Sequence, residues 1–320
     1  MRRGASRDGT YRSRSADRNL YNAAMHVLVA GGSGLVGRAL TPRLSADGHR
    51  VTRLLRTEGP PGGPTRVWDP DAGRLEARVL EDVDAVVHLG GVSVGSLWTA
   101  RRKAAIRNSR VRSTRLIADA ISNASRRPSV FIHASAVGYY GNRGDELLTE
   151  TSTPGKGFLA DLCRDWEAAS APARDAGVRV AHVRTGLALT PRGGVLRSML
   201  PAFRLGLGGR LGSGRQWMPW IGLEDLVEVY VGALADDSLR GAVNAVAPEQ
   251  VTNANFTRAL GRALRRPTFL NVPEFALRML PGRMGKEALL ASTRALPEVL
   301  MRIGFRFNQP TLAGALAAAL

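Results

Sequence analysis

The sequence predicts an α/β protein, a doubly wound parallel sheet covered by helices on both faces, and three observations carry that expectation. Short runs such as "MHVLVAG" (25–31), "DAVVHLGG" (84–91) and "SVFIHASA" (129–136) are apolar on both strand faces, as strands buried on both sides must be. Longer segments of helical period separate them, and strand–helix alternation implies parallel strands joined by crossover helices. The first strand also runs straight into "GGSGLVG", a glycine-rich turn that opens a helix.

In chain order, 25–31 is a buried strand. The next segment sets Leu35, Val36, Ala39, Leu40 and Leu44 on one helix face, with Pro42 inside it as a point of irregularity. "RVTRLLR" (50–56) is the second strand, followed by the Gly/Pro-rich loop "TEGPPGGP" (57–64), a short strand around Val67 and the strand 84–91. A long helix runs from Thr99 to Asn123, and 129–136 is the next strand. A helix is expected over 157–176 and a strand, "VRVAHVRTGLAL", over 178–189. From Pro191 the texture changes: 191–220 is glycine-rich and mixes helix with loop, as a small substrate-side subdomain would. "AVNAVA" (242–247) returns to the sheet, Asn253 is placed to cap the helix that begins "ANFTRALGRAL", and the last 50 residues read as mostly helical. The expected organisation is a disordered basic tail over 1–24, a nucleotide-binding domain over 25–248 that includes the 191–220 insertion, and a helical C-terminal region over 249–320.

Composition narrows the function class. Apolar residues make up 44% and charged residues 22% of the 320, enough for a globular core. A single cysteine, Cys163, leaves no internal disulfide, and no run reaches the ~20 apolar residues of a membrane span. A soluble, cytoplasmic protein with no membrane partner is expected. The net charge of +18 raises nucleic acid as a partner. Against that, only Lys103, Lys156 and Lys286 are lysines, the arginines are scattered through helices and loops, and no aromatic residues interleave with them as stacking platforms. A solvated basic surface is the expectation, with no specific nucleic-acid binding. Residues 1–24 carry six arginines and two aspartates with almost no apolar content, a composition that cannot order itself. Because Met25 directly precedes the first strand, this segment reads as an over-long start of the gene or a disordered extension.

The glycine-rich turn is the strongest chemical signal. Gly31, Gly34 and Gly37 stand in a G-x-x-G-x-x-G pattern between strand and helix. The first permits the tight turn, the second lets backbone approach a pyrophosphate, the third lets helix pack on strand, and the helix N-terminus faces the phosphates. About 20 residues on, an NAD site offers an acid to the ribose. Here the second strand closes on Arg53, Leu54, Leu55 and Arg56. A guanidinium suits a 2′-phosphate, so NADP(H) is favoured over NAD(H).

Several further blocks share one pattern: "HLGG" (88–91), "W...RK..I..SR" (Trp98 to Arg110), "ASAVGYYG" (134–141), "CRDWE" (163–167), "VRTGLAL" (183–189), "MLPAFRLGLGG" with "GSGRQWMPWI" (199–221), "NAVAP" (244–248) and "RALPEVL..IGF.F" (294–307). With "GGSGLVG" they run in order across nearly everything after Met25. The chain resembles the extended short-chain dehydrogenase/reductase superfamily, specifically its atypical epimerase-family group. The resemblance implies a Rossmann-like domain binding NADP(H), a small substrate-side subdomain and a family-specific C-terminal region. It places the pyrophosphate on Gly31, Gly32, Ser33, Gly34, Leu35, Val36 and Gly37, and the 2′-phosphate by Leu55 and Arg56. Leu89, Gly90 and Gly91 would lie by the cofactor ribose, Arg110 would reach the cofactor side, and Leu187 would back the nicotinamide.

The catalytic group departs from that pattern. These enzymes use a Ser/Thr with Y-x-x-x-K on one helix, tyrosinate as acid/base and lysine lowering its pKa. Counting back from Glu167 puts Leu159 at the tyrosine and Cys163 at the lysine, and neither replaces the pair. Ser135 ends its strand where the family's serine would bond a substrate oxygen. Tyr139 and Tyr140 follow it in "GYYGNRGDE", and either is a candidate displaced acid; the alternative is that one packs under the loop while the other walls the pocket. Lys156, just before the helix, is a candidate for the missing cation and otherwise a flexible solvent-facing lysine; Cys163 reads as a small buried hydrophobe, and His88 and His133 as core histidines with hydrogen-bond partners. The five histidines show no metal spacing. Arg215, Gln216, Trp217 and Trp220 follow a glycine-rich turn and are candidates to clamp an anionic or planar small-molecule substrate, unless "WIGLEDLV" only starts a helix with Glu224 and Asp225 near its positive end. The reading is NADP(H)-linked redox or epimerase/dehydratase chemistry on a small molecule. Its rivals are an NADP(H) sensor that has lost catalysis and a nucleic-acid-associated protein.

Overall fold

The computed structural model describes residues 24–58, 64–279 and 284–320. All but the last residue of the 1–24 tail, and residues 59–63 of the expected loop, lie outside the described residues. The chain begins β1 (His26–Ala30), α1 (Leu35–Ala46), β2 (Arg50–Leu55), β3 (Thr65–Val67), β4 (Ala85–His88), α2 (Ala100–Asn123) and β5 (Val130–Ala136). α1 runs through Pro42, and the Thr99 hydroxyl caps α2 by accepting the Arg102 amide at 3.2 Å.

Two expected elements are each divided. The helix expected over 157–176 is α3 (Phe158–Ala168) followed by a short α4 (Ala171–Asp175), after a two-stranded pairing element β6 (Leu147–Leu148). The strand expected over 178–189 is β7 (Arg179–Thr185) and β8 (Leu187–Leu189), broken at Gly186. There the backbone changes partner: the Gly186 amide bonds Ala245, the Leu187 amide bonds Pro219, and a Cβ on Gly186 would fall 2.8 Å from the Pro219 oxygen. The chain continues through α5 (Gly194–Arg204), β9 (Gly209–Leu211), β10 (Trp220–Gly222), α6 (Leu223–Ala235) and β11 (Gly241–Ala245). Then come α7 (Asn253–Leu264), β12 (Leu270–Val272), α8 (Glu274–Arg278), a π-helical turn over Gly285–Leu289, β13 (Arg294–Ala295), α9 (Glu298–Arg302) and α10 (Leu312–Ala319). The C-terminal segment is thus helices interrupted by two short strands that pair with β9 and β6. Thr252, not Asn253, caps α7; Asn253 is buried and accepts the Leu211 amide at 2.8 Å.

Seven parallel strands form the main sheet in the order β11-β7-β5-β4-β1-β2-β3, the Rossmann-like order in which sequence direction reverses between β1 and β4. One face buries Val27, Val29, Val87 and Ile132 under Leu40 and Leu44 of α1 and Leu226, Val229 and Tyr230 of α6. The other buries Leu28, Val86 and Phe131 under Ile117 and Ile121 of α2 and Ala173 of α4. Each such side chain contributes about 1.5–3 kcal/mol of transfer free energy, so both faces hold the sheet rigid beneath the turns at its carboxyl edge.

Candidate active site at the sheet's carboxyl edge

At the reversal point the turns after β1 and β4 touch. Gly31 has φ +83, and a Cβ on it would sit 2.7 Å from the Gly90 nitrogen; one on Gly37 would sit 2.5 Å from the Gly31 oxygen. Both positions therefore require glycine. Gly34 differs: its φ is −74, and its only close neighbour would be the Gly31 oxygen at 3.2 Å. It is the N-cap of α1 and offers no side chain to the first-turn amides. Ser33 and Gly34 are exposed while Leu35 and Val36 are half-buried, so uncapped amides of a 12-residue helix open onto a surface cradle, which is the donor arrangement an anion needs.

Two arginines border this cradle, and a third follows β2, the strand that pairs with β1. Arg53 runs its side chain along Gly32, 3.4 Å from where a Cβ would be. Arg38 donates to the Ser33 carbonyl at 2.7 Å. Arg56, just past the half-buried Leu55, is exposed and pairs with exposed Asp71 at 3.2 Å, an ion pair weak enough for a phosphate to displace. Sequence reasoning missed Arg38; its signal is a basic residue immediately after the third glycine. Across the reversal point, the Leu89 amide bonds Ala30 at 2.8 Å. A Cβ on Gly90 would meet the His88 ring at 2.8 Å and one on Gly91 would meet the Arg110 guanidinium at 2.9 Å. Arg110 donates to the Val92 and Ile106 carbonyls and lies 5.2 Å from the Trp166 ring. Burial pulls its pKa down, and no carboxylate within 4.0 Å pairs with it among the described residues. It is a cation held beside Gly91, on the turn that follows β4.

The candidate catalytic residues are placed differently from expectation. Ser135 is buried, and its hydroxyl donates at 2.6 Å to Glu167, which forms a two-pronged pair with buried Arg184 at 2.8 and 2.8 Å. Ser135 and Arg184 face each other across β5 and β7. The serine proton is therefore spent on a carboxylate, and Ser135 anchors this network. Tyr140 is fully buried, donates to Asn244 at 2.7 Å and accepts from Arg184 at 3.0 Å. Burial pushes its pKa up to about 12 against the pull of Arg184, so it stays protonated and fixed. For Arg184 burial pulls down, but the hydrogen bonds and charge of Glu167 prevail and raise it. Leu159 and Cys163 border Gly138, at 3.3 and 3.8 Å from its would-be Cβ. The Cys163 thiol is buried and pushed up to about 12 by that burial, so it is neutral and no nucleophile. Tyr139 remains: it is half-buried, with the Arg184 guanidinium 3.5 Å from its ring centroid.

The expected substrate clamp is not assembled. Trp220 is 1% exposed and donates to the Glu249 carbonyl; it is a core residue between α5, α7 and α10, because β10 runs inward to pair with β8. Trp217 is half-buried, bonded to Asp145 at 2.7 Å and covered by Arg294 at 4.4 Å. Arg215 is exposed. Leu187 is half-buried on β8, opposite Trp220. A cavity of about 490 Å³ lies elsewhere, between Gly138, Leu159, the 141–143 and 153–157 loops and the C-terminal residues Lys286, Glu287 and Thr293.

Known proteins resemble this chain in sequence and fold. Residues 27–245 match the model of the NAD dependent epimerase/dehydratase family, and 272–319 match a domain of unknown function, DUF1731. The chain is 46% identical over 294 residues to an epimerase family protein of Mycobacterium bovis, covering 92% of this chain and 97% of that one. It is 36% identical over 296 residues to epimerase family protein SDR39U1 of Homo sapiens, covering 91% and 98%. Human SDR39U1 (isoform 2), crystallised with NADPH, superposes with a TM-score of 0.83 at 34% identity over 92% of this chain and 99% of that one. A nucleoside-diphosphate sugar epimerase of Corynebacterium glutamicum gives a TM-score of 0.76 at 39% identity, with 93% of this chain covering 58% of that one.

Proposed function

The chain belongs to the NAD dependent epimerase/dehydratase family, and on that premise we propose that it binds NADP(H) along the carboxyl edge of its sheet and acts with it on a small-molecule substrate. The observation that supports this most directly is the 31–37 cradle, where glycines fill every position at which a Cβ would strike backbone and the α1 amides stay uncapped. Those amides would hold the pyrophosphate, Arg53 and Arg56 with Arg38 would neutralise the 2′-phosphate, and Arg110 beside Gly91 adds positive charge further along the edge. The NADPH in the human SDR39U1 crystals favours the same cofactor here. When bound, the nicotinamide supplies a hydride donor or acceptor.

What the chain's own residues do follows from their placement. The Ser135–Glu167–Arg184–Tyr140 network fixes the β5 and β7 ends so that Tyr139 keeps one ring face under a permanent cation. With Tyr140 and Cys163 buried and Ser135 spent on Glu167, Tyr139 is the half-buried hydroxyl this reading assigns as acid/base. A second reading, an NADP(H) sensor without turnover, is favoured by the commitment of Ser135 and the apolar or neutral side chains at 159 and 163.

Titration with NADPH and NADH tests the cofactor. Arg56→Ala is expected to weaken NADPH by about 10- to 100-fold, the worth of a charge-assisted contact, and to leave NADH unchanged. Equal affinities for the two nucleotides, or an indifferent variant, sink the 2′-phosphate assignment. Turnover that Tyr139→Phe abolishes separates the enzyme from the sensor.

A further inference from the structure

Only three of the 45 basic residues are lysines, and all three gather at the start of α3. Lys103 of α2 sets its ammonium 5.0 Å from the ring centroid of Phe158, the first residue of α3, and 5.7 Å from that of Trp98. Lys156 precedes that helix by two residues. Lys286 lies on the π-helical turn beside Glu287, whose carboxylate accepts the Leu159 amide at 3.3 Å. Lys156 and Lys286 are exposed and both line the 490 Å³ cavity, a size suited to a small molecule.

The charges around that cavity do not balance. Arg143 is neutralised by a two-pronged pair with Glu146. Glu287 is engaged at the start of α3, so the helix end itself is already served. Neither Lys156 nor Lys286 has a carboxylate within 4.0 Å among the described residues. Two ammonium groups without a paired carboxylate at one concave opening outweigh the single Glu287 carboxylate in its lining, and an entering anion gains those counter-charges. Lysine is well suited to such an opening, because its ammonium is a compact charge with three donors on a flexible stem, able to follow a small ligand where an arginine fork demands a planar partner. The cavity also reaches Gly138 and Leu159, so a ligand held there extends toward the edge where Tyr139 stands.

We propose that this cavity holds the oxyanion group, carboxylate or phosphate, of the substrate, with Lys156 and Lys286 as its counter-charges. The proposal rests on the reading that the carboxyl edge is the reaction site.

The test is calorimetric titration of the full chain, saturated with NADPH at about 0.15 M salt, with inorganic phosphate and separately with malonate. Saturable one-to-one binding of at least one anion is expected. The Lys156→Ala/Lys286→Ala double variant should weaken it at least tenfold, the corresponding double arginine variant no more than about threefold, and neither should alter NADPH affinity. Preference for phosphate or for malonate identifies the group. A double alanine variant that binds like the wild type, or a wild type that binds neither anion, overturns the proposal. Failure of the cofactor reading shows separately, as absence of NADPH binding by the wild type; the same anion titrations on the protein alone then decide the lysine site.

Discussion

Gly34 and Gly37 occupy the same turn, yet a methyl group at each has a different consequence. At Gly37 it lands 2.5 Å from the Gly31 oxygen and 2.6 Å from the Gly32 Cα, and backbone on both sides cannot retreat. Gly37→Ala is expected to lose about 1–3 kcal/mol of stability, as overpacking does. At Gly34 the backbone already suits any residue and the single contact is 3.2 Å. Gly34→Ala should keep stability within ~0.5 kcal/mol while weakening NADPH at least tenfold, because its methyl enters the space the phosphates use. Urea unfolding and fluorescence titration on both variants check the contrast; parallel losses in both properties would contradict it. The sequence makes this turn legible because spacing and strand–helix context are local. Ser135, Tyr140 and Trp220 were not legible for the opposite reason. Their positions follow from the strand pattern, but where each polar atom is spent depends on Glu167, Asn244 and Glu249, which lie 32, 104 and 29 residues away.

At the scale of elements, β4, β5 and β7 align His88, His133 and His182 on one rung of the sheet. His133 and His182 bond each other at 2.7 Å, and His88 bonds Ser113 at 2.9 Å. Burial holds His88 and His133 down at about 3 and His182 at about 4. The unfolded chain takes up these protons near the ordinary histidine value of ~6.5, so below it the unfolded state binds more protons than the native one. Stability is fully present above that pH and declines as pH falls toward 3, by on the order of 1 kcal/mol per histidine per pH unit. The urea midpoint should therefore drop between pH 6.5 and 4.5; a flat midpoint over that range excludes neutral burial of the rung. Apolar runs around His88 and His133 already mark them as core residues in the sequence. The breaks at 169–170 and at Gly186 are not marked, since periodicity continues through both. Gly186 becomes a break only because its own amide pairs with Ala245 while that of the next residue, Leu187, pairs with Pro219.

For the whole molecule, the C-terminal segment is a structural part of the nucleotide-binding unit, although it reads in sequence as an appended helical region. Asp225 of α6 accepts the Asn308 and Gln309 amides at 2.7 and 2.9 Å. Asn244 of β11 donates to Leu296 at 2.8 Å, and Glu150 accepts both the Asn244 and Val299 amides. α10 inserts Leu312, Ala315 and Leu316 among Leu196 of α5 and Phe256 and Leu260 of α7. Removing residues 272–320 would expose that apolar surface and strip buried Asp225 of both its amide donors and half-buried Glu150 of the Val299 amide; each unpartnered buried polar group costs about 1–3 kcal/mol, and more when charged. Those losses compare with the entire ~5–15 kcal/mol of a typical domain. A chain ending at residue 271 is therefore expected to lose cooperative unfolding and NADPH binding together. Leu316→Ala, a milder cut into the same core, should cost about 2–5 kcal/mol and leave NADPH affinity within about twofold, since α10 packs on α5, α7 and β8 while the 31–37 cradle stands on β1, β4 and α1. A truncated chain that unfolds cooperatively and binds NADPH like the full one would show that the C-terminal segment is instead a separable appendage.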